Sequence, residues 1–169
     1  MFARATRTSL LLVSLAAAFS GCGGSKAATT KVGNSTIAQY VAAIDDNFSG
    51  LKGKQFGDNA IVTKYLSTLT MPNTNACVIS HIKRSGNTIA TCFFVSSSQS
   101  EADAAYVAAK DDVKAAVPEL TGADEPPTNG NLAQYFAKDA KHAVYIDEGQ
   151  QDDGKYTVVT SFGTPAALK

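Results

Sequence analysis

Two stretches of the chain repeat apolar residues with the period of a helix. After Ser35, a residue type that caps helix N-termini, large apolar side chains recur at steps of three and four. They are Ile37, Tyr40, Val41, Ile44 and Phe48. Residues 98 to 117 form the stronger pattern, because Ser98 and Glu101 fit a capping box and Pro118 ends the helix. We therefore predict one helix after Ser35 and a longer one after Ser98.

Strand patterns occur in two places. Residues 76 to 83 and 88 to 96 are rich in β-branched and aromatic side chains and flank a short polar segment, which predicts a hairpin. Residues 143 to 147 and 156 to 162 predict a second hairpin, since the latter stretch alternates strictly and Asp153-Gly154 is a good tight-turn pair.

The register of the first hairpin depends on its cysteines. If Cys77 and Cys92 lie directly opposite each other, the turn is the four-residue loop 83 to 86. A two-residue turn would place Cys77 opposite Phe94, and the resulting diagonal between the cysteines is too long for a relaxed disulfide. The disulfide and the longer turn are therefore one prediction, and the alternative is two buried free thiols.

The remaining segments have weaker patterns. Residues 49 to 59 contain three glycines and predict an irregular connection. Residues 60 to 69 repeat apolar side chains every four positions but include β-branched residues, and helix is favoured over strand. Residues 119 to 130 are typical of a turn-rich linker, and a short helix is expected over residues 131 to 136.

An apolar run near the N-terminus is too short to cross a membrane. Residues 10 to 19 are almost wholly apolar, and a bilayer-spanning helix needs about 20 such residues. Arg4 and Arg7 precede the run without any acid, and small residues follow it. This layout is typical of a secretory signal peptide.

The end of that run, Phe19-Ser20-Gly21-Cys22, resembles the lipobox of bacterial lipoprotein precursors. In that family the cysteine is acylated and becomes the new N-terminus. The family prefers Leu where Phe19 stands, so the match departs there. The resemblance is limited to the signal peptide and lipobox, and it implies palmitate-type lipidation of Cys22 and anchoring in the bacterial cell envelope. Gly23, in place of the Asp that favours inner-membrane retention, implies the outer membrane in a Gram-negative host.

Cysteine counting supports the anchor. The chain has three cysteines, and an odd one in a secreted protein needs an explanation. If Cys22 is acylated, Cys77 and Cys92 remain as a pair in an oxidising compartment, where disulfides persist. The alternative is ordinary signal cleavage after Ala18, which would leave one thiol unpaired. We favour the lipid-anchored form because it accounts for every cysteine.

The order helix, hairpin, helix, hairpin predicts an α+β fold: an antiparallel sheet of four or five strands with helices on one face. Residues 1 to 21 are interpreted as a signal peptide that is removed, and residues 22 to 35 as a flexible tether of small polar residues. Residues 36 to 163 are then a single domain, and residues 164 to 169 a disordered tail.

The net charge and the positions of the histidines and acids indicate which partners and metal ions the domain is not expected to bind. Removing the signal peptide leaves 13 basic against 15 acidic side chains and no basic cluster, so no nucleic-acid partner is expected. His81 and His142 lack the spacing of metal ligands, and the acidic residues 147 to 154 match a solvated turn better than a calcium loop. No metal and no cofactor are predicted.

One surface feature suggests an interaction. Lys83, Arg84, Ser85 and Gly86 form a basic hairpin loop, which a disulfide would stiffen and so prepare for binding. The alternative is a turn that only keeps the hairpin soluble. His81 is interpreted as a residue of a half-exposed strand, and His142 as a cap near a helix C-terminus.

The expected function is therefore that of a non-enzymatic envelope lipoprotein whose domain binds another envelope or extracellular macromolecule. Its partners would be the membrane, through the lipid on Cys22, and a protein. The alternative is a secreted or periplasmic hydrolase with His81 as base and a serine such as Ser80 or Ser96 as nucleophile, although the chain has no G-x-S-x-G motif. A small-molecule carrier would need a sizeable cavity between helices and sheet.

Overall fold

The computed structural model describes residues 35 to 128 and 130 to 168. The predicted signal peptide, the lipobox-like segment with Cys22 and nearly all of the predicted tether lie outside the described residues. The elements are α1 (Thr36–Ala42), a 3₁₀ turn (Ser49–Leu51), β1 (Lys52–Asp58), β2 (Val62–Ser67), β3 (Ala76–Ile82), β4 (Thr88–Ser96), α2 (Gln99–Ala116), β5 (Thr121–Glu125), β6 (Asn131–Lys138), β7 (Ala143–Gln150) and β8 (Tyr156–Gly163).

All eight strands belong to one antiparallel sheet, in the order β1-β2-β3-β4-β8-β7-β6-β5. The predicted sheet of four or five strands is therefore wrong, because the described residues form a single sheet of eight strands. The additional strands are β1, β2, β5 and β6, which occupy the segments predicted as an irregular connection, a helix, a linker and a short helix. Strand pairing along the sheet overrides the weak local patterns of those segments.

The topology divides the described chain into two similar halves. Each half is a helix followed by four antiparallel strands, α1 with β1–β4 and α2 with β5–β8. The last strands of the halves, β4 and β8, pair in the middle of the sheet over seven residue pairs, from Ala90↔Phe162 to Ser96↔Tyr156. The two edges of the sheet are therefore β1 and β5.

Both helices pack against the same face of the sheet, which we call the helix face. The ring of Tyr40 in α1 stacks on Phe162 of β8 with centroids 4.8 Å apart, and its hydroxyl donates to Leu69 O. From α2, Ala102, Tyr106 and Val113 enter the same core. The largest fully buried side chains are Tyr40, Phe48, Phe162, Ile79, Ile146, Val113 and Val144. The small side chains of α2 let this helix lie close to the sheet.

The first helix is shorter than its apolar stripe. Ser35 caps α1 as predicted, since its Oγ accepts a hydrogen bond from Ala38 N at 3.1 Å. The helix ends at Ala42, and Asn47 and Phe48 take left-handed backbone conformations with φ of 56° and 59°. Phe48 is nevertheless completely buried. The stripe thus predicts burial correctly beyond the point where the helix stops.

The second helix begins with a variant of the predicted capping box. Ser98 Oγ accepts from Glu101 N at 3.4 Å. The Glu101 carboxylate does not bond Ser98 N directly; it accepts from the hydroxyl of Ser96, whose oxygen accepts from Ser98 N at 3.0 Å. Ser96 thereby joins the end of β4 to the first turn of α2.

Both predicted hairpins are present. In the first, β3 and β4 pair with Cys77 opposite Cys92 and His81 opposite Thr88, the register of the four-residue loop. In the second, β7 and β8 pair from Ala143↔Gly163 to Gln150↔Tyr156, a longer ladder than predicted. Within the stretch predicted as a tail, residues 164 to 168 form a turn that places Leu168 beside Gly163.

Candidate functional site

The disulfide prediction is confirmed. Cys77 of β3 and Cys92 of β4 are bonded, and their Cα atoms are 4.0 Å apart. Both side chains are buried on the helix face. The bond therefore stabilises the middle of the sheet and uses two of the three cysteines.

The basic loop is held by a different contact from the one expected. The disulfide lies five residues from the end of β3, about 17 Å from the turn, so it does not stiffen the base of the loop. Lys83 instead pairs with Asp58 at 2.7 Å and donates to Asn59 O at 2.6 Å, which fastens the loop to the β1–β2 turn. Arg84 remains exposed, so this loop offers one unengaged cation rather than a cluster.

The residues of the hydrolase alternative do not meet. His81 Nδ1 lies 3.1 Å from Thr88 Oγ1 across the hairpin. Ser80 is its neighbour in β3 and points to the other face of the sheet. Ser96 is eight residues from Thr88 along β4, about 26 Å away. Neither serine is within reach of the imidazole.

His142 joins two carboxylates instead of capping a helix. The segment before it is β6, so no helix C-terminus precedes it, and His142 lies in the β6–β7 turn. Its Nδ1 is 2.8 Å from Asp139 Oδ2 and its Nε2 is 3.3 Å from Asp45 Oδ1. Both ring nitrogens are engaged, so the imidazole ties this turn to the segment after α1 and has no nitrogen left for a substrate.

The electrostatics of this contact favour a charged imidazole. Partial burial lowers the pKa of His142, but the hydrogen bonds and charges of Asp139 and Asp45 outweigh burial, and the pKa is raised overall. Burial likewise raises the pKa of Asp139, and the hydrogen bonds from His142 and from Lys141 N bring it down to about 2. The turn is therefore held by an ion pair in mildly acidic solution.

The acidic stretch after residue 146 is a strand and not the predicted solvated turn, because β7 continues to Gln150. Glu148 points to the helix face and is only 3% exposed. Burial, the hydrogen bond with Asp103 of α2 and the charges of Asp103 and Asp147 raise its pKa to about 7. Asp147 points to the opposite face, where burial raises its pKa and leaves Oδ1 without a partner.

The burial of Glu148 and Asp147 could not be predicted, because the sequence around them shows only a run of polar residues with no apolar alternation.

Among residues 35 to 128 and 130 to 168, no group of three or more His, Cys, Asp or Glu side chains could hold a metal ion. No helix among the same residues is long and apolar enough to cross a membrane.

The sheet face opposite the helices has an uncovered half. We call this half the open face; it consists of the outward side chains of β2, β3, β4 and β8, assigned from strand register. They are Val62, Lys64, Leu66, Ala76, Val78, Ser80, Ile82, Ile89, Thr91, Phe93, Val95, Thr157, Val159 and Ser161. Leu66 is 44% exposed and Val95 is 40% exposed. None of the described helices packs here.

The other half of the same face is covered by the chain itself. Gln134 of β6 bonds Thr128, which lies in the segment after β5, and is almost completely buried. Phe136 is buried beneath the same region and shares a depression with Leu168 of the C-terminal turn. The open face therefore has a definite boundary at β7.

Comparison with known proteins does not assign this site, because no protein family model, no curated protein and no solved structure matches the chain. The candidate site is therefore defined by its own chemistry: a largely apolar sheet surface with Lys64 of β2 at one side and Asp147 of β7, which is paired with Val159, at the other.

Proposed function

We propose that the chain is a non-enzymatic lipoprotein of the bacterial envelope that binds another envelope or extracellular protein through the open face. The observation that carries the binding role is the apolar, uncovered surface of β2, β3, β4 and β8. Contiguous exposed apolar surface on a folded domain is typical of a protein-binding site. Apolar residues scattered over a surface would not indicate a binding site. The apolar side chains of the open face, in contrast, lie beside one another on neighbouring strands.

The anchor is supported by the cysteines. Because Cys77 and Cys92 bond each other, Cys22 is left without an intramolecular partner, and the lipobox-like sequence around it supplies one use for that thiol. Acylation by two or more chains would hold the protein stably, since each buried methylene contributes about 0.8 kcal/mol. In a Gram-negative host, Gly23 favours the outer membrane.

A binding role is also favoured over hydrolysis by the positions of the polar groups. His81 reaches neither Ser80 nor Ser96, and the Thr88 hydroxyl that it does contact is buried and therefore closed to a substrate. Both nitrogens of His142 lie against carboxylates. General-base activation of a nucleophile requires the base to lie within hydrogen-bond reach of it, directly or through one water.

The anchor is tested by expressing the full chain in bacteria fed an alkyne fatty acid, with Cys22→Ser as the matched variant. We expect the label on the wild type only, with an intact mass that begins at an acylated Cys22. A mature species that begins at Phe19 without lipid would show ordinary cleavage after Ala18 and would reject the anchor.

The binding surface is tested in the same cells with a photo-crosslinking amino acid at position 95 or 107. Val95 lies on the open face, whereas Val107 is 51% exposed on α2 and serves as the control. We expect a discrete protein adduct from position 95 and none from position 107. No adduct at 95, or equal adducts at both positions, would reject the open face as the binding site.

A further inference from the structure

We propose that the occupant of the open face is a second copy of this chain, so that two sheets pack face to face in a homodimer. This inference rests on the proposed function, since it names the partner of the same surface. Three features of the open face carry it: its charge, its side-chain pattern and its size.

The charge of the open face suits its own copy. Lys64 in β2 is its one ionisable side chain, and the outward positions of β3, β4 and β8 are all uncharged. A partner with charges at these positions would have to bury them without a counter-ion, which costs free energy. A second open face brings no such charge to the centre, because Lys64 lies at one rim and Asp147 of β7, which is paired with Val159, lies at the other.

The side-chain pattern is that of one inner face of a β-sandwich. Val, Ile, Thr and Phe predominate, and Phe93 of β4 lies directly beside Val159 of β8 near the middle of the sheet. Sheets with such faces pack about 10 Å apart with strands within about 30° of each other. In a twofold dimer each copy contributes the same patch, so a single apolar surface satisfies both sides of the contact.

The size of the open face predicts a weak dimer in dilute solution. Four strands at about 4.8 Å spacing and about seven residues in length project roughly 440 Å² per copy. Two copies then cover roughly 900 Å² of projected area, near the lower limit for a specific interface. Anchoring both copies to one membrane would raise their effective concentration and populate the dimer without additional contacts.

The test uses the full chain, carried in one cell with two different tags and the photo-crosslinking residue at position 95. We expect one adduct of twice the protomer mass that contains both tags. In a second pair of tagged chains the crosslinking residue is moved to position 159, and Val95→Asp in those chains lowers the yield of dimer by about tenfold or more, because it buries an unpaired carboxylate. Val107→Asp, on the helix side, leaves the yield unchanged.

Thermal unfolding of the purified variants checks that each remains folded, and Leu66→Asp replaces Val95→Asp if the latter unfolds. An adduct at position 95 that contains a different protein, with no doubly tagged species, would reject the second copy and leave the proposed binding function standing. The absence of any adduct would reject both. A dimer that persists in Val95→Asp and Leu66→Asp would place self-association on another surface.

Discussion

At the scale of single residues, the most informative side chains are acids that face inward. Glu148 is almost completely buried beside Asp103, and its pKa of about 7 means that it keeps a proton at a pH where an exposed glutamate has lost it. Nothing in the sequence around it predicts this, because neighbouring acids on a strand alternate between faces only once the strand is known. The protonation state of Glu148 therefore follows from its position in the fold and not from its neighbours in sequence.

Glu148 should make the protein less stable as the pH rises. Its pKa is about 7 in the folded protein against 4.5 when exposed, so its contribution is fully present below 4.5 and is lost as the pH rises through 7. Glu148→Gln, which stays neutral and can donate to Asp103, should raise the free energy of unfolding at pH 8 by up to about 3 kcal/mol and change it little at pH 4. Urea denaturation at several pH values measures this.

The matched control is Asp111→Asn, which removes an exposed acid from α2. As an exposed surface change it should alter the free energy of unfolding at pH 8 by no more than about 0.5 kcal/mol. Some decline with rising pH should persist in Glu148→Gln, since the raised pKa values of Asp147 and His142 act in the same direction. An unchanged pH profile in Glu148→Gln would show that this carboxyl is ionised in the folded protein.

The second residue-scale prediction concerns His142, whose charged form is stabilised by two carboxylates. Its stabilising contribution is present below the exposed value of 6.5 and is lost as the pH rises through the higher folded value. Asp45→Asn should lower the pKa of His142, and Asp139→Asn should lower it more, because Asp139 contributes more to the shift. NMR titration of the imidazole protons measures both.

The control for that titration is the β3–β4 hairpin, where His81 bonds Thr88 and neither aspartate lies. The backbone amide signals of this hairpin should be the same in wild type, Asp45→Asn and Asp139→Asn. Movement of those signals would point to a general change in folding. No movement of His142 would mean that Asp45 and Asp139 do not contact it in solution.

At the scale of elements, the sequence predicts correctly those helices and strands for which two independent local signals agree. The β3–β4 hairpin has β-branched strands and a compatible cysteine register, and α2 has a periodic face and a cap. β1 and β5 were missed because they are edge strands of polar, glycine-containing sequence that gain their structure from one neighbour each. The local patterns of β2 and β6 predict helices because a spacing of four residues suits a face of a strand as well as a face of a helix.

The disulfide should be the largest single stabilising link between elements. It closes a loop with a sequence separation of 15, for which chain entropy suggests about 3 kcal/mol. Replacing both Cys77 and Cys92 by alanine should lower the free energy of unfolding by about that amount, measured by urea denaturation. Reductant should destabilise the wild type and leave the double variant unaffected; equal stability of the two proteins without reductant would show that the bond adds nothing.

The start of α2 gives a graded prediction. Ser98→Ala removes one acceptor from the first turn and should cost about 1 kcal/mol. Ser96→Ala should cost more, because its buried hydroxyl serves both Glu101 and Ser98 N. Ser97→Ala, an exposed change between them, is the control and should be neutral in thermal unfolding. A cost for Ser97 equal to that for Ser96 would contradict the hydroxyl relay.

At the scale of the whole molecule, the sheet could not be predicted because its continuity depends on contacts between distant segments. β4 and β8, about 65 residues apart in sequence, form the ladder that joins the two halves. The sequence of neither strand predicts that the other is its pairing partner, because each is only an apolar run rich in β-branched residues. The open face follows from the same ladder, because β8 extends its apolar surface beyond the first hairpin.

The joining ladder predicts the order of hydrogen exchange across the molecule. If the halves unfold as one unit, amides of β4 and β8 should exchange slowest, and the edge strands β1 and β5, which are exposed and paired on one side, should exchange fastest. The exchange rates measured by mass spectrometry on the intact chain should therefore fall from both edges of the sheet towards its middle.

Protection that is uniform within β5–β8 but clearly different in β1–β4 would instead show two independently unfolding halves. In that case the ladder between β4 and β8 would be a contact between units, and the open face, which crosses it, would form only while both units are folded.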